Sequence, residues 1–326
     1  MNLSQAIDQA TSAIFPGFLS GDEALNQERR KNEEALSMLM DTWRNSPADK
    51  LPFSFDLIRG LADNNRTICD MFGTKRLRRE SPVTLTRNLS NKDLIHSVAV
   101  MQGRTDKEVE MTAHPDLRDL NVAYQEAPVS GMILGIDLET TGTEPSRGYI
   151  INVGFEFMLL EPKSKPNNGH TAYFGIPEMY KEKGVPLSNI HHITWKDLDG
   201  KTPFRENIPV QKALLKILET YPYMAHNAAF EDSWLTIHLN GYAEARKAGE
   251  IIPIDTRDIC RRCDPEVASL RRESHPAALE TWARRRHVLK KSQKERHLGL
   301  EDVDLMFKTV QAEFKERNMF AESIAK

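Results

Sequence analysis

Asp137 and Glu139 stand one residue apart at the end of an apolar run, MILGIDLE. In a strand, side chains two apart project to the same face, so the run would present two carboxylates side by side. Like charges that close repel unless a cation neutralises them, and hard oxygen donors favour Mg²⁺ or Mn²⁺. A second acidic group, Glu231-Asp232, follows His226-Asn227-Ala228-Ala229-Phe230 and opens a helical pattern, where the positive end of the helix dipole favours acids. A third, Glu301-Asp302, opens the last helical pattern, just after His297-Leu298-Gly299-Leu300. His297 then lies ahead of that helix and Asp302 in its first turns, so an imidazole and a carboxylate can face one pocket. An isolated D-x-E pair reads as a solvated strand end; three acidic groups, each at an element boundary, read as a site.

In this order, the three groups resemble the motifs of the DEDDh 3′ to 5′ exonucleases, the superfamily of polymerase proofreading subunits, RNase T and oligoribonuclease. The resemblance covers Met132 to Phe314, about 180 residues. IHHIT (Ile190 to Thr194) and IDTRDI (Ile254 to Ile259) resemble segments between the motifs, and LETWARRR (Leu279 to Arg286) the helix before the final histidine. It implies an α/β, RNase H-like exonuclease fold with a mixed central sheet flanked by helices. Carried over by position, Asp137, Glu139 and Asp302 become metal ligands and His297 the general base. The second motif departs from the pattern, because the residue after Phe230 is Glu231 and the next is Asp232. Helical geometry favours Glu231, which shares a face with Trp234, Leu235 and His238; Asp232 points about 100° away and stays as the alternative.

The implied activity is metal-dependent 3′ to 5′ hydrolysis of single-stranded nucleic acid, DNA favoured, to nucleoside monophosphates. Two divalent cations, Mg²⁺ or Mn²⁺, about 3.5–4 Å apart would hold the attacking water and the leaving oxygen. His297, as an imidazole base, would take the water's proton. Thr140 and Thr141 would contact the terminal nucleotide, or simply make the turn out of the strand. His226 and Asn227 read as structural hydrogen-bonders at a strand end. Two alternatives share the residues: an RNA-trimming exoribonuclease, and a catalytically weak polymerase-accessory binding module.

The elements that must position these residues start at Met132. MILGIDLE, IINVGFEFMLLE (Ile150 to Glu161) and HTAYFGIP (His170 to Pro177) read as three strands separated by turn-rich junctions, hence a meander. VQKALLKILETY (Val210 to Tyr221) and the stretch from Phe230 to Gly249 read as helices, with YPYMA and IIPID as short strands between and after them. Upstream, Gly21 to Arg44, Phe55 to Phe72 and Asn91 to Gln102 have helical spacing. Lys75 to Arg87 reads as a basic connector and Arg104 to Gly131 as a linker. The expected division is a helical region with linker at 1–130, an exonuclease domain at 131–318 and a tail at 319–326. The role of the helical region is left open between a docking domain for a polymerase or repair partner, a substrate clamp and a regulatory arm.

With 44 Lys and Arg against 47 Asp and Glu in 326 residues, the net charge of -3 argues against a bulk-basic nucleic-acid binder. The charge is uneven, however. From Arg257 to Arg296 there are twelve basic and six acidic residues, so this stretch carries +6 and the remainder -9. Arg284, Lys290 and Lys291 in that stretch are candidate phosphate contacts on a single strand's path to the site. Three cysteines suit a reducing cytoplasm, and the lone Cys260-x-x-Cys263 lacks the second pair a zinc site needs. No targeting signal is read at the start, where Asp8 replaces a basic leader, and no apolar run is long enough to span a membrane.

Overall fold

The computed structural model describes residues 1–19, 21–72, 131–290, 292, 293, 295 and 297–320. The expected helix at 91–102, the basic connector at 75–87, most of the linker, Lys291 and the tail beyond residue 320 lie outside them.

Five strands form one sheet: β1 (Met132–Thr140), β2 (Ile150–Leu159), β3 (Asn167–Tyr173), β4 (Tyr223–Ala225) and β5 (Pro253–Asp255). Their order is β3-β2-β1-β4-β5. The first three make the expected antiparallel meander, and β4 and β5 add in parallel beside β1. The protein is therefore α/β with a mixed sheet flanked by helices, the RNase H-like arrangement. β1 is the central strand and apolar on both faces because both are covered. Leu134, Ile136 and Leu138 face one core with Leu214, Trp234 and Leu235. Ile133 faces the other, with Trp282, Met306, Phe307 and Val310.

Alternation places Gly135, Asp137 and Glu139 on the same face as Ile133. That face is covered by the last helix, Leu300–Glu316, whose approach depends on two glycines. A Cβ on Gly135 would stand 2.4 Å from Val303, and one on Gly154, the cross-strand partner of Asp137, only 2.1 Å from the Leu300 nitrogen. The helix N-terminus therefore rests directly on the sheet backbone and brings Asp302 to the first-motif acids.

In chain order the longer helices are α1 (Leu3–Ser12), α2 (Asp22–Asn45), α3 (Phe55–Phe72), α4 (Ile208–Thr220), α5 (Ala229–His238), α6 (Tyr242–Ala248), α7 (Thr256–Cys263), α8 (Leu279–Arg285) and α9 (Leu300–Glu316). The stretch from Phe230 to Gly249, expected as one helix, is two. Asn240-Gly241 breaks it, and Gly241 has a left-handed φ of 85°, which a side chain disfavours. The third strand runs from Asn167 rather than His170 and ends at Tyr173; beyond it, Gly175 makes only an isolated bridge to Pro203.

Helices α1 to α3 share a core with the α/β part. Leu36, Leu39, Phe55, Ile58 and Leu61 pack with Ile237 of α5 and Ala243 of α6. Polar links join the same parts: Glu33 pairs with buried Arg147, Asp63 with Arg205, and Arg59 donates to the Leu239 carbonyl at 3.0 Å. Asp70 accepts from the hydroxyls of Tyr149 and Tyr180. The short helical turn Pro145–Arg147 and Tyr149, in the loop that follows β1, are thus held from the N-terminal side.

Candidate active site

Asp137 and Glu139 leave the end of β1 just before its register with β2 shifts, between Glu139 and Thr140. Such an irregularity re-aims side chains and is common beside active sites. Asp302, in the first turn of α9, meets them: each of the three offers a carboxylate oxygen, all within 4.8 Å of one another. Glu231, in the first turn of α5, is 3% exposed, and its Oε2 has no hydrogen-bond partner among the described residues.

Asp232 is also buried, but faces elsewhere. Its Oδ1 accepts from the Tyr242 hydroxyl at 2.7 Å and pairs with Arg246 Nε at 3.1 Å. The helix places the two neighbouring acids in different surroundings. Asp232 is neutralised by an arginine; Glu231 acts electrostatically on Asp137.

The electrostatics are those of an uncompensated acidic centre. Asp137 and Glu139 keep some contact with solvent at the strand end, yet the protein around them strongly disfavours their charged forms. Burial, then the charges of Glu231, Glu139 and Asp302, hold the Asp137 carboxyl well above its ordinary range. Glu139 is pushed up to about 8 by burial and by Asp302, against a stabilising hydrogen bond from the Gly299 backbone. Burial also holds Glu231 well above its usual range. The four strongest charges acting on Asp137 are all carboxylates. A set of oxygen donors with an orphaned buried oxygen fits a divalent cation, which would replace the missing positive charge.

His297 stands at the rim, half exposed, with a left-handed φ of 52°. Its Nδ1 is 4.0 Å from Asp302 Oδ2 and 3.9 Å from Glu295 Oε1. Glu295 is the residue that sequence reasoning missed. Burial and Asp302 push its carboxyl up to about 7, and with His297 and Asp302 it forms a second group whose ligand atoms lie within 4.8 Å of one another. Its one sequence signal was an acid two positions before the final histidine. A cleft of about 720 Å³ opens beside this group, bordered by Glu295, Asp302, Leu289, Leu300 and Glu156.

The remaining expected residues lie as follows. Thr140 Oγ1 donates to the Gly142 carbonyl at 2.6 Å, and Thr141 Oγ1 accepts from the Tyr149 N–H at 2.9 Å, so both side chains brace the turn. His226 bonds Thr256 Oγ1 at 3.1 Å and the Ala277 carbonyl at 2.9 Å. Burial and Arg257 lower its pKa to about 3, so it stays neutral. Asn227 accepts from Arg257 Nη1 at 2.7 Å.

The basic stretch before His297 is largely neutralised from within. Arg284 pairs with Glu280 at 2.7 Å and donates to the Gln293 carbonyl, Arg285 pairs with Asp264, and Arg286 is buried among four carboxylates. Arg285 and Arg286 are therefore not surface cations, because acids brought close by the fold claim them. Lys290 is exposed. Burial pushes the Cys260 and Cys263 thiols up to about 12, and neither belongs to a metal-ligand group among the described residues.

No family model and no curated protein matches the chain. Among solved structures it is similar to the zinc-ion-bound form of an E. coli ExoI–ssDNA complex, at 16% identity and a TM-score of 0.45, over 58% of this chain and 42% of that one. The chain thus spans less than half the length of that protein. Among the described residues no helix is long and apolar enough to cross a membrane.

Proposed function

We propose that the protein is a metal-dependent 3′ to 5′ exonuclease acting on single-stranded nucleic acid, with DNA the favoured substrate. The observation that carries this reading is the convergence of Asp137, Glu139, Glu231 and Asp302, from three separate elements, beside His297. The motif order resembling the DEDDh enzymes supports the 3′ polarity and the monophosphate product. All the acids and the histidine are present and brought together, which favours an enzyme over a binding module that has lost activity.

In this reading Asp137, Glu139, Glu231 and Asp302 hold the cations, with Asp232 excluded by its bond to Arg246. The cations would supply charge neutralisation at the scissile phosphate and acidify the attacking water. His297 Nδ1 lies toward Asp302 and Glu295, which leaves Nε2, on the side turned away from them, to accept the water's proton. The rim position would keep the imidazole within reach of a strand entering from solvent. Thr140 and Thr141 hold the turn whose backbone would meet the terminal nucleotide, and Lys290 with Lys291 would contact phosphates further along the strand.

The test is digestion of 5′-labelled single-stranded DNA, duplex DNA and RNA with Mg²⁺, with Mn²⁺ and with chelator. A ladder shortening from the 3′ end on single strands, abolished by chelator, is expected; no degradation of any substrate with either metal would overturn the reading. Replacing His297 with Ala should lower kcat by roughly 10²- to 10⁴-fold, the usual contribution of a general base. Metal affinity should be little changed, as followed by calorimetric titration with Mn²⁺.

A further inference from the structure

His297 stands on irregular backbone. Its φ is left-handed at 52°, that of Gly299 is 27°, and regular helix begins only at Leu300. A base on such a segment needs a fixed partner at one ring nitrogen if the other is to meet a water in a set direction. Two carboxylates flank Nδ1, Glu295 Oε1 at 3.9 Å and Asp302 Oδ2 at 4.0 Å. Both stand just beyond hydrogen-bond length, and contacts of this kind often tighten once substrate is bound.

The two acids differ in what else claims them. Asp302 offers an oxygen to the group it forms with Asp137 and Glu139, where the proposed cations would engage it. Glu295 shares no ligand group with Asp137 or Glu139 among the described residues. It is also anchored from outside its own segment. Its backbone N–H donates to Glu280 Oε2 at 3.0 Å, and Glu280, on α8, pairs with Arg284 at 2.7 Å. The Glu295 side chain is 17% exposed against 47% for the imidazole, so the carboxylate is the more confined of the two partners.

We infer that Glu295 is a positioning residue for His297: its carboxylate accepts from Nδ1–H and so turns the Nε2 lone pair toward the attacking water. When Nε2 takes the water's proton, Nδ1 keeps its own, and the Glu295 carboxylate faces the imidazolium that results. No proton passes to Glu295. The inference rests on the proposed exonuclease reading and adds to it the group that orients the base.

The test joins a spectroscopic readout to a kinetic one, on the full chain with Mg²⁺. Nitrogen-15 NMR at pH 8, where an ordinary imidazole is neutral, reports which ring nitrogen of His297 carries the proton. Wild type is expected in the Nδ1–H form. Glu295→Gln should keep that form, because its amide oxygen still accepts, and Glu295→Ala should shift toward Nε2–H. On labelled single-stranded DNA, Glu295→Ala should lower kcat by roughly 10- to 100-fold, the range found where an outer group orients a metal-bound histidine. Glu295→Gln should lose less. KM and Mn²⁺ affinity should hold in both variants, which a damaged fold or a lost metal ligand would not allow. A tautomer unmoved in Glu295→Ala would assign the ring to Asp302 and overturn the inference, as would an unchanged kcat. A wild type that degrades nothing defeats the exonuclease reading instead, and the tautomer still decides whether Glu295 holds the ring.

Discussion

Replacing Asp137 with Asn is expected to abolish nucleolysis and, in the same protein, to raise the melting temperature measured in chelator. The two effects share a cause. In the metal-free state Asp137 is crowded by Glu231, Glu139 and Asp302, so removing its charge relieves repulsion. Under the proposed function the same oxygens would be ligands once cation is present. Groups that merely orient metal ligands are worth about 10–100-fold in affinity, so losing a ligand itself should cost more.

Wild type should show the matching pH dependence. Glu139 titrates near 4.5 in the unfolded chain and near 8 in the metal-free folded one. Between these values the folded protein keeps a proton that the unfolded chain has lost, so stability falls as pH rises through that window. Saturating Mg²⁺ should remove the fall. Thermal melts at pH 5 and pH 8.5, with and without Mg²⁺, check both points. A melting temperature in chelator that is flat across this range, or lower in Asp137→Asn than in wild type, would count against the acidic centre.

The second large effect is on stability alone. Arg286 ties Glu313 of α9 at 2.8 Å, Asp264 at 2.9 Å, Glu266 at 3.2 Å and also Glu316. The Asp264 and Glu313 side chains have no exposed surface. Arg286→Met keeps much of the volume but removes the cation that joins these acids, leaving Asp264 with Arg285 and Glu313 with Arg317 and the Trp282 indole. Breaking a buried pair from one side costs about 3–5 kcal/mol. At roughly 2–4 °C per kcal/mol for domains of 150–250 residues, scanning calorimetry should show a drop of at least ~6 °C. Lys should recover little, since one ammonium cannot serve four carboxylates. A loss below about 1 °C would mean that the surrounding acids find other partners.

Much of the α/β half was legible in the sequence because its signals are local. Apolar runs of strand length, and acids at the starts of helices, announce β1, β2, α5 and α9 without any knowledge of contacts. The choice of Glu231 over Asp232 followed from helical phase, and the partners of Asp232 on α6 fit that phase. Phase could not show that Asp232 would be buried too, because Arg246 lies fourteen positions on. Three features were illegible for the same reason. Glu295 sits in an aperiodic segment, so only its approach to His297 and Asp302 reveals it. Arg285 and Arg286 look like surface charge in a linear count, because Asp264 and Glu313 reach them only after folding. The seating of α2 on the loop after β1 depends on Glu33 meeting Arg147, a pair 114 positions apart.

Gly154 has a consequence for ion choice. Its missing methyl lets α9 rest on the sheet, and that contact sets how far Asp302 stands from Asp137 and Glu139. Mg²⁺ needs oxygens at about 2.0–2.1 Å, whereas Ca²⁺ accepts about 2.3–2.6 Å with looser geometry. A methyl at this position acts as a shim under the helix. Because the contacting atoms are backbone, Gly154→Ala should displace α9 at a cost in stability and lower the ratio of Mg²⁺ to Ca²⁺ affinity in calorimetry, with no ligand altered. The gauge of the proposed ion site is a backbone contact rather than any of the side chains that would touch the ion.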